Sequence, residues 1–159
     1  MTATRRQARE WAIQILTAAE LNPPGEDLRA FIDNAWDAIA SLEERKDDKP
    51  CGKLKAFAEA RVLGVLGDQA RIDAILARLL DNWDLSRLGT IERAVLRMGI
   101  WEIASGGVPV PVVINEAIDL ANWFSSPKSR PLINGVLDRY AKSLAAKAKQ
   151  DGAAKGDAE

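Results

Sequence analysis

The sequence of 159 residues contains no histidine and only one cysteine, Cys51, and these absences exclude several kinds of functional site. Without histidine, the chain lacks the commonest general base and the commonest zinc ligand. A single cysteine can form neither an internal disulfide nor a multi-cysteine metal site. We therefore expect no metal and no cofactor. The low cysteine content also fits a protein of the cytoplasm, where disulfides are rare.

Sequence patterns of common catalytic sites are also missing. The chain has no glycine-rich phosphate loop, no GxSxG and no HExxH. Asp47 and Asp48 fall in a run of charges that we expect to be solvated, and Cys51 has no histidine to activate it. The sequence therefore predicts no catalytic residues and a protein that is not an enzyme.

The overall composition is that of an ordinary globular domain, with 47% hydrophobic and 28% charged residues. The net charge is −1, so a nucleic-acid site must be a local patch of cations. No apolar run approaches the roughly 20 residues that span a bilayer. The N-terminus, MTATRRQARE, lacks the apolar segment of a secretory signal.

Apolar residues recur with helical spacing through nearly the whole chain. Seven such segments are separated by proline, glycine or charged stretches, which predicts an all-α, bundle-like domain of about seven helices. The β-branched run from Val108 to Ile114 contains Pro109 and Pro111, which argue against a strand. We expect residues 1–148 to form the domain and residues 149–159 to form a disordered tail.

Three arginines, Arg5, Arg6 and Arg9, lie in the first turns of the first predicted helix. They form a cationic flank beside the apolar face, and guanidinium groups on a rigid helix suit phosphate oxygens. The alternative is a solvated charged face, with Glu10 and Glu20 nearby. The pattern alone does not decide between the two interpretations.

The chain has five tryptophans, of which Trp11, Trp36, Trp83 and Trp101 fall on apolar faces and are predicted to lie in the core. Trp123 fits its apolar face less well than Phe124 does. An exposed Trp123 beside Lys128 and Arg130 would suit stacking on a base of single-stranded RNA. The alternative is a capping contact over the last turn of its helix.

Polar residues interrupt two otherwise apolar helices. Asn115 and Glu116, and Asn134 in the next helix, could form a buried polar brace. Gly135 could allow the close approach of another helix or of a ligand backbone. Ser129 is predicted to be the N-cap of the last helix.

Four motifs carry a resemblance to a known family: INEAIDLA at 114–121, NGVLD at 134–138, IERAVLR at 91–97 and RRQAR at 5–9. They resemble the NusB family of transcription antitermination factors, over about Thr4 to Leu144. The resemblance implies an all-helical protein of two small helical subdomains. It also implies binding to the boxA element of nascent ribosomal RNA together with NusE, a small-subunit ribosomal protein, in the antitermination complex of RNA polymerase.

In that family the arginine-rich first helix and the loop before the last helix contact RNA. Leu132 stands where the family often has an aromatic residue, so that stacking contact is lost or moves to Trp123 or Phe124. Glu92, in the IERA run, is a candidate partner-facing residue. The predicted RNA-binding residues are therefore Arg5, Arg6, Arg9, Trp123, Phe124, Lys128, Ser129, Arg130 and Leu132.

Two other functions stay open at this point. One is an RNA-binding module related to the NusB-like domain of ribosomal RNA cytosine methyltransferases, although no methyltransferase domain accompanies the motifs in this sequence, so we expect a free-standing factor. The other is a protein-interaction or homodimer scaffold without an RNA role. Its apolar surface would come from Ile100, Val108 and Val110.

Overall fold

The computed structural model describes residues 4–42, 50, 52–81 and 84–156, with side chains up to residue 152. The predictions made for Cys51, Trp83 and the Asp47-Asp48 pair fall outside these described residues.

Helices make up almost all of the described chain, and no strand occurs in it, which confirms the predicted all-α class. Two short 3-10 turns, at Leu85–Arg87 and Pro127–Ser129, precede α5 and α7. Among the described residues, no helix is both long and apolar enough to cross a membrane. The helices are α1 (Arg5–Leu21), α2 (Leu28–Leu42), α3 (Gly52–Gly67), α4 (Gln69–Leu79), α5 (Thr90–Ser105), α6 (Val110–Phe124) and α7 (Arg130–Gly156).

Local sequence signals explain where several helices begin and end. The Thr4 hydroxyl accepts a hydrogen bond from the amide of Gln7 at 3.2 Å and caps α1. Gly106 ends α5 with a φ of 72°, a left-handed conformation that glycine adopts without steric cost. Pro109 and Pro111 flank the start of α6, where a missing amide donor is tolerated.

Helix α5 lies at the centre of the fold and packs against α1, α3, α4, α6 and α7. Two glycines set its closest approaches. A Cβ atom at Gly64 of α3 would lie 2.0 Å from Nε1 of Trp101, and one at Gly99 would lie 2.9 Å from the Leu137 methyls. The helices therefore form an N-terminal group, α1 to α3, and a C-terminal group, α4 to α7. The N-terminal group packs against the C-terminal group through contacts of α1 and α3 with α5.

The last helix extends beyond residue 148, where we predicted the start of a disordered tail, and continues to Gly156. The described side chains from Ala145 to Gly152 are all exposed, so this end of the helix has no packing partner among the described residues. The division of the chain at residue 148 stays a prediction.

A buried ion-pair cluster joins three of the helices. Glu102 of α5, only 2% exposed, accepts hydrogen bonds from Arg9 of α1 at 2.9 and 3.0 Å. Arg61 of α3 donates to the same carboxylate at 2.9 Å and to the carbonyl oxygen of Phe57 at 3.1 Å. Burial lowers the pKa of the Arg61 guanidinium, Glu102 opposes this effect, and repulsion from Arg9 adds to it.

We expect Glu102→Gln to lower the free energy of unfolding by about 3 kcal/mol or more, because it leaves two buried guanidinium groups without a counter-charge. Urea denaturation at neutral pH measures the change. Asp138→Asn is a matched control, because Asp138 pairs with Lys142 on the exposed face of α7. The control substitution should lower the free energy of unfolding by less than about 1 kcal/mol. Similar losses in the two variants would contradict a special role for the buried cluster.

Candidate nucleic-acid interface

The structure separates the three N-terminal arginines that the sequence grouped together. Arg5 is exposed, with its guanidinium 5.6 Å from the centre of the Phe57 ring. Arg9 is only 4% exposed, and its guanidinium donates to Glu102. Arg9 therefore holds α1 in place and does not present its charge at the surface, which leaves Arg5 and Arg6 as the accessible cations of this motif.

Arg6 forms ion pairs with two carboxylates of α6. Its guanidinium donates to Glu116 at 3.0 and 3.2 Å and to Asp119 at 2.7 Å. The hydrogen bond and charge of Glu116 raise the pKa of Arg6 further above its ordinary value. The Arg6 side chain is still 54% exposed, so it is available to a ligand that competes with these carboxylates.

The buried polar brace that we predicted from Asn115 and Asn134 is wrong, because both asparagines are exposed. Glu116 does brace the fold, but its partner is Arg6 of α1. Gly135 has no atom within 4 Å of a Cβ placed on it, so no neighbouring helix approaches it closely among the described residues. The open space at Gly135 is compatible with the other prediction, that the backbone of a ligand approaches closely at this residue.

Two grooves meet at Arg6. The first, of about 410 Å³, lies between α1 and α6, and the second, of about 400 Å³, lies between Arg6, α6 and the start of α7. Arg6 and Asp119 line both grooves. The first is completed by Glu10, Leu120, Asn122 and Trp123, and the second by Val112, Asn115, Glu116, Ile118 and Arg130.

Trp123 is 80% exposed, which makes it the most exposed of the large hydrophobic residues described and favours the stacking interpretation over a capping contact. Phe124 is half-buried and packs against the core. Leu132 is also half-buried, in a third groove of about 360 Å³ that Lys128 shares. Trp123 is therefore the aromatic ring that this face of the molecule offers to a ligand.

The loop between α6 and α7 is fixed by Glu92 in the first turn of α5. The hydroxyls of Ser125 and Ser129 both donate to Oε1 of Glu92, the latter at 2.8 Å. Ser129 directly precedes α7, as predicted, but its hydroxyl serves this contact. Burial raises the pKa of Glu92, but the hydrogen bonds from Ser125 and Ser129, a backbone hydrogen bond and the charge of Arg93 together hold it below the ordinary 4.5.

Glu92 was predicted to face a partner, and that role stays a prediction. What the sequence did not reveal is its link to the loop that carries Lys128 and Arg130, two exposed cations. The apolar surface predicted for a scaffold is partly wrong, because Ile100 is buried in the core. Val108 and Val110 are half-buried.

Sequence comparison finds relatives along most of the chain. The model of the NusB family matches residues 6–142. A "Transcription antitermination protein NusB" from a Nitratiruptor species is 37% identical over 142 residues, covering 89% of this chain and 94% of the relative. The protein of the same name from Thermodesulfovibrio yellowstonii is 34% identical over 139 residues, covering 87% and 91%.

Solved structures share the fold. T. maritima NusB superimposes with a TM-score of 0.73 at 30% identity, covering 89% of this chain and 93% of that one. A structure described as antitermination factors NusB and NusE in complex with double-stranded RNA gives a TM-score of 0.69 at 24% identity, with 87% and 96% covered. At 24% identity, the comparison with the NusB and NusE complex shows a shared fold and nothing more.

We expect the link between Glu92 and the loop to weaken in acid. A carboxylate whose pKa is lowered in the folded state stabilises that state above its unfolded pKa, and the contribution is lost as the pH falls through the folded value. Wild type should therefore be more stable than Glu92→Gln at neutral pH, and the gap should close below pH 4.5. Urea midpoints measured across this range test the expectation.

Glu26→Gln, at an exposed acid in the segment before α2, controls for the loss of one negative charge. A gap between wild type and Glu92→Gln that is the same at neutral and acid pH would contradict a stabilising role for the Glu92 charge.

Proposed function

Since the chain belongs to the NusB family, we propose that it acts as a transcription antitermination factor. In this proposal it binds a boxA-like element of nascent ribosomal RNA together with NusE, in the antitermination complex of RNA polymerase. Its role is regulatory binding without a catalytic step, and its place is the cytoplasm, where that complex works.

The observation that carries the proposal is the position of exposed Trp123 at the edge of a groove that Arg6 also lines. Single-stranded RNA binders combine aromatic rings, on which bases stack, with cations that contact the backbone phosphates. Arg130 lines the adjoining groove, and Lys128 is exposed on the loop between α6 and α7. We propose that the RNA crosses this face, from the start of α1 to the start of α7.

The predicted site residues then fall into two roles. Arg5, Arg6, Lys128 and Arg130 would contact phosphates, and Trp123 would stack on a base. The other four predicted residues support this surface: the charge of Arg9 anchors α1, Ser129 fixes the loop, and Phe124 and Leu132 pack against the core.

Only a few cations on this face are accessible, and the whole chain carries a net charge of −1. RNA affinity depends on how many phosphates a protein neutralises, so we expect weak binding by the chain alone. A partner that binds both the chain and the RNA adds surface and raises the effective concentration of each. NusE is the partner we propose.

The direct test is fluorescence anisotropy of a labelled boxA-like RNA, compared with a scrambled RNA, with and without NusE. We expect selective binding of the boxA-like RNA that tightens when NusE is added. Equal or absent binding of both RNAs in the presence of NusE would overturn the proposal. If the RNAs are bound equally or not at all, a tight homodimer in light scattering would favour the alternative of a homodimer scaffold without an RNA role.

The triple variant Arg5→Ala, Lys128→Ala, Arg130→Ala should weaken binding and reduce its dependence on salt. Each lost phosphate contact changes the slope of log affinity against log salt by roughly 0.7. The salt series is measured with NusE present. A matched triple variant removes the same charge from exposed cations of α4 and α7, at Arg71, Arg78 and Lys142.

The matched variant should keep the wild-type slope. If both triple variants flattened the slope equally, general attraction would explain the binding, and the proposed face would be wrong.

A further inference from the structure

The groove between α1 and α6 has a chemistry that differs from that of a phosphate site. Its charged lining residues are Arg6, Glu10 and Asp119, so it is acidic on balance. Arg6 is itself paired with Asp119 at 2.7 Å. A phosphate placed in this groove would meet two carboxylates, which repel it. A neutral group that donates hydrogen bonds would meet acceptors.

Asn122 lines the same groove and carries an unpaired polar atom. Its side-chain oxygen Oδ1 is buried and has no hydrogen-bond partner among the described residues. A buried acceptor without a donor destabilises the fold. Asn122 also lines the groove, so its side chain borders the space that a ligand would occupy. A half-turn of the amide exchanges the positions of Oδ1 and Nδ2, and Oδ1 is the atom that lacks a donor.

Trp123 follows Asn122 directly and lines the same groove, with 80% of its surface exposed. An indole ring in this position offers an area on which a planar group can stack. The groove volume, about 410 Å³, is enough for a single planar heterocycle beside the ring.

We propose that this groove is a nucleobase pocket that favours bases with an exocyclic amino group. An unpaired adenine, cytosine or guanine would stack on Trp123 and donate its amino hydrogens to the oxygens of Asp119 and Asn122. Carboxylate and amide oxygens accept from base amino groups, whereas uracil presents carbonyl oxygens on both sides of its single N–H. The phosphates stay outside the groove, near Arg130 and Lys128.

This inference rests on the proposed RNA-binding function and adds specificity to it. Phosphate contacts position RNA without reading its sequence, and the accessible cations of this face can do no more than that. Asp119 and Asn122 are the specificity-determining residues in our proposal, and Trp123 supplies affinity for any base.

The test uses the full chain with NusE and a boxA-like RNA in which one position at a time is made abasic. We expect wild type to lose affinity strongly at one position, where the stacked base is removed. Trp123→Ala should be weaker than wild type by fivefold or more, roughly, and insensitive to the abasic change at that position. Leu21→Ala, at an exposed residue near the end of α1, is the control.

The four bases are then compared at that position. Wild type should prefer the three amino-bearing bases over uracil by about threefold or more, since one neutral hydrogen bond accounts for roughly that factor and a bond to the Asp119 carboxylate for more. Asn122→Leu should reduce this preference while keeping or raising the melting temperature, because it removes the unpaired buried acceptor. Asn34→Leu, on the exposed face of α2, is its control.

Asp119→Asn provides a second variant, since Asp119 is half-exposed and its loss should not unfold the chain. It should lower the preference for amino-bearing bases over uracil, because the amide that replaces the carboxylate can donate to the carbonyl oxygens of uracil. An unchanged base preference in both Asn122→Leu and Asp119→Asn would overturn the inference and leave RNA binding standing. Failure of wild type to bind RNA would overturn both proposals together.

Discussion

One buried carboxylate, that of Glu102, fixes where the first, third and fifth helices meet. Two arginines from different helices donate to it, so one negative charge is shared between two positive ones in the interior. The Phe57 ring stabilises part of the excess positive charge by cation–π interaction, because the guanidinium carbons of Arg9 and Arg61 lie 5.1 and 3.3 Å from the ring centre. The cluster therefore sets the rotation and position of α1 relative to α5.

That constraint decides which arginines of the first helix are accessible. With Arg9 held inward, Arg5, one turn earlier, remains exposed at the rim of the same cluster, near the Phe57 ring. Arg6, about 100° away around the helix, meets the carboxylates of α6. The RRQAR motif is thus mainly a structural element, and only part of its charge faces solvent.

The sequence predicted the helices well because burial imposes a periodic pattern that can be counted. The same periodicity indicates which polar residues lie near the buried face. Arg9 lies within about 20° of Leu16 on the helix surface and so falls on the buried edge, whereas Asn115 lies well over 90° from the centre of its apolar stripe. What could not be derived is pairing at a distance. Arg9 and Glu102 are 93 residues apart, and only the packed structure selects that carboxylate among the 23 acids.

The same limit applies to the candidate interface. Trp123 could be predicted to be exposed because it lies off the apolar face, and Asp119 and Asn122 lie within about one turn of it on α6. What the sequence could not show is that Arg6 and Glu10 of α1 complete the groove, because they reach α6 only in the packed structure. The ion pairs that Arg6 makes there are partly exposed, so they are screened by salt and weak. An RNA phosphate could replace these carboxylates as the partner of Arg6 with little loss of free energy. The new ion pair would be screened in the same way, so it would add little to the affinity for RNA. Most of the affinity on this face must therefore come from base stacking, from Arg5, from the loop cations that the fold leaves unpaired among the described residues, and from a second protein.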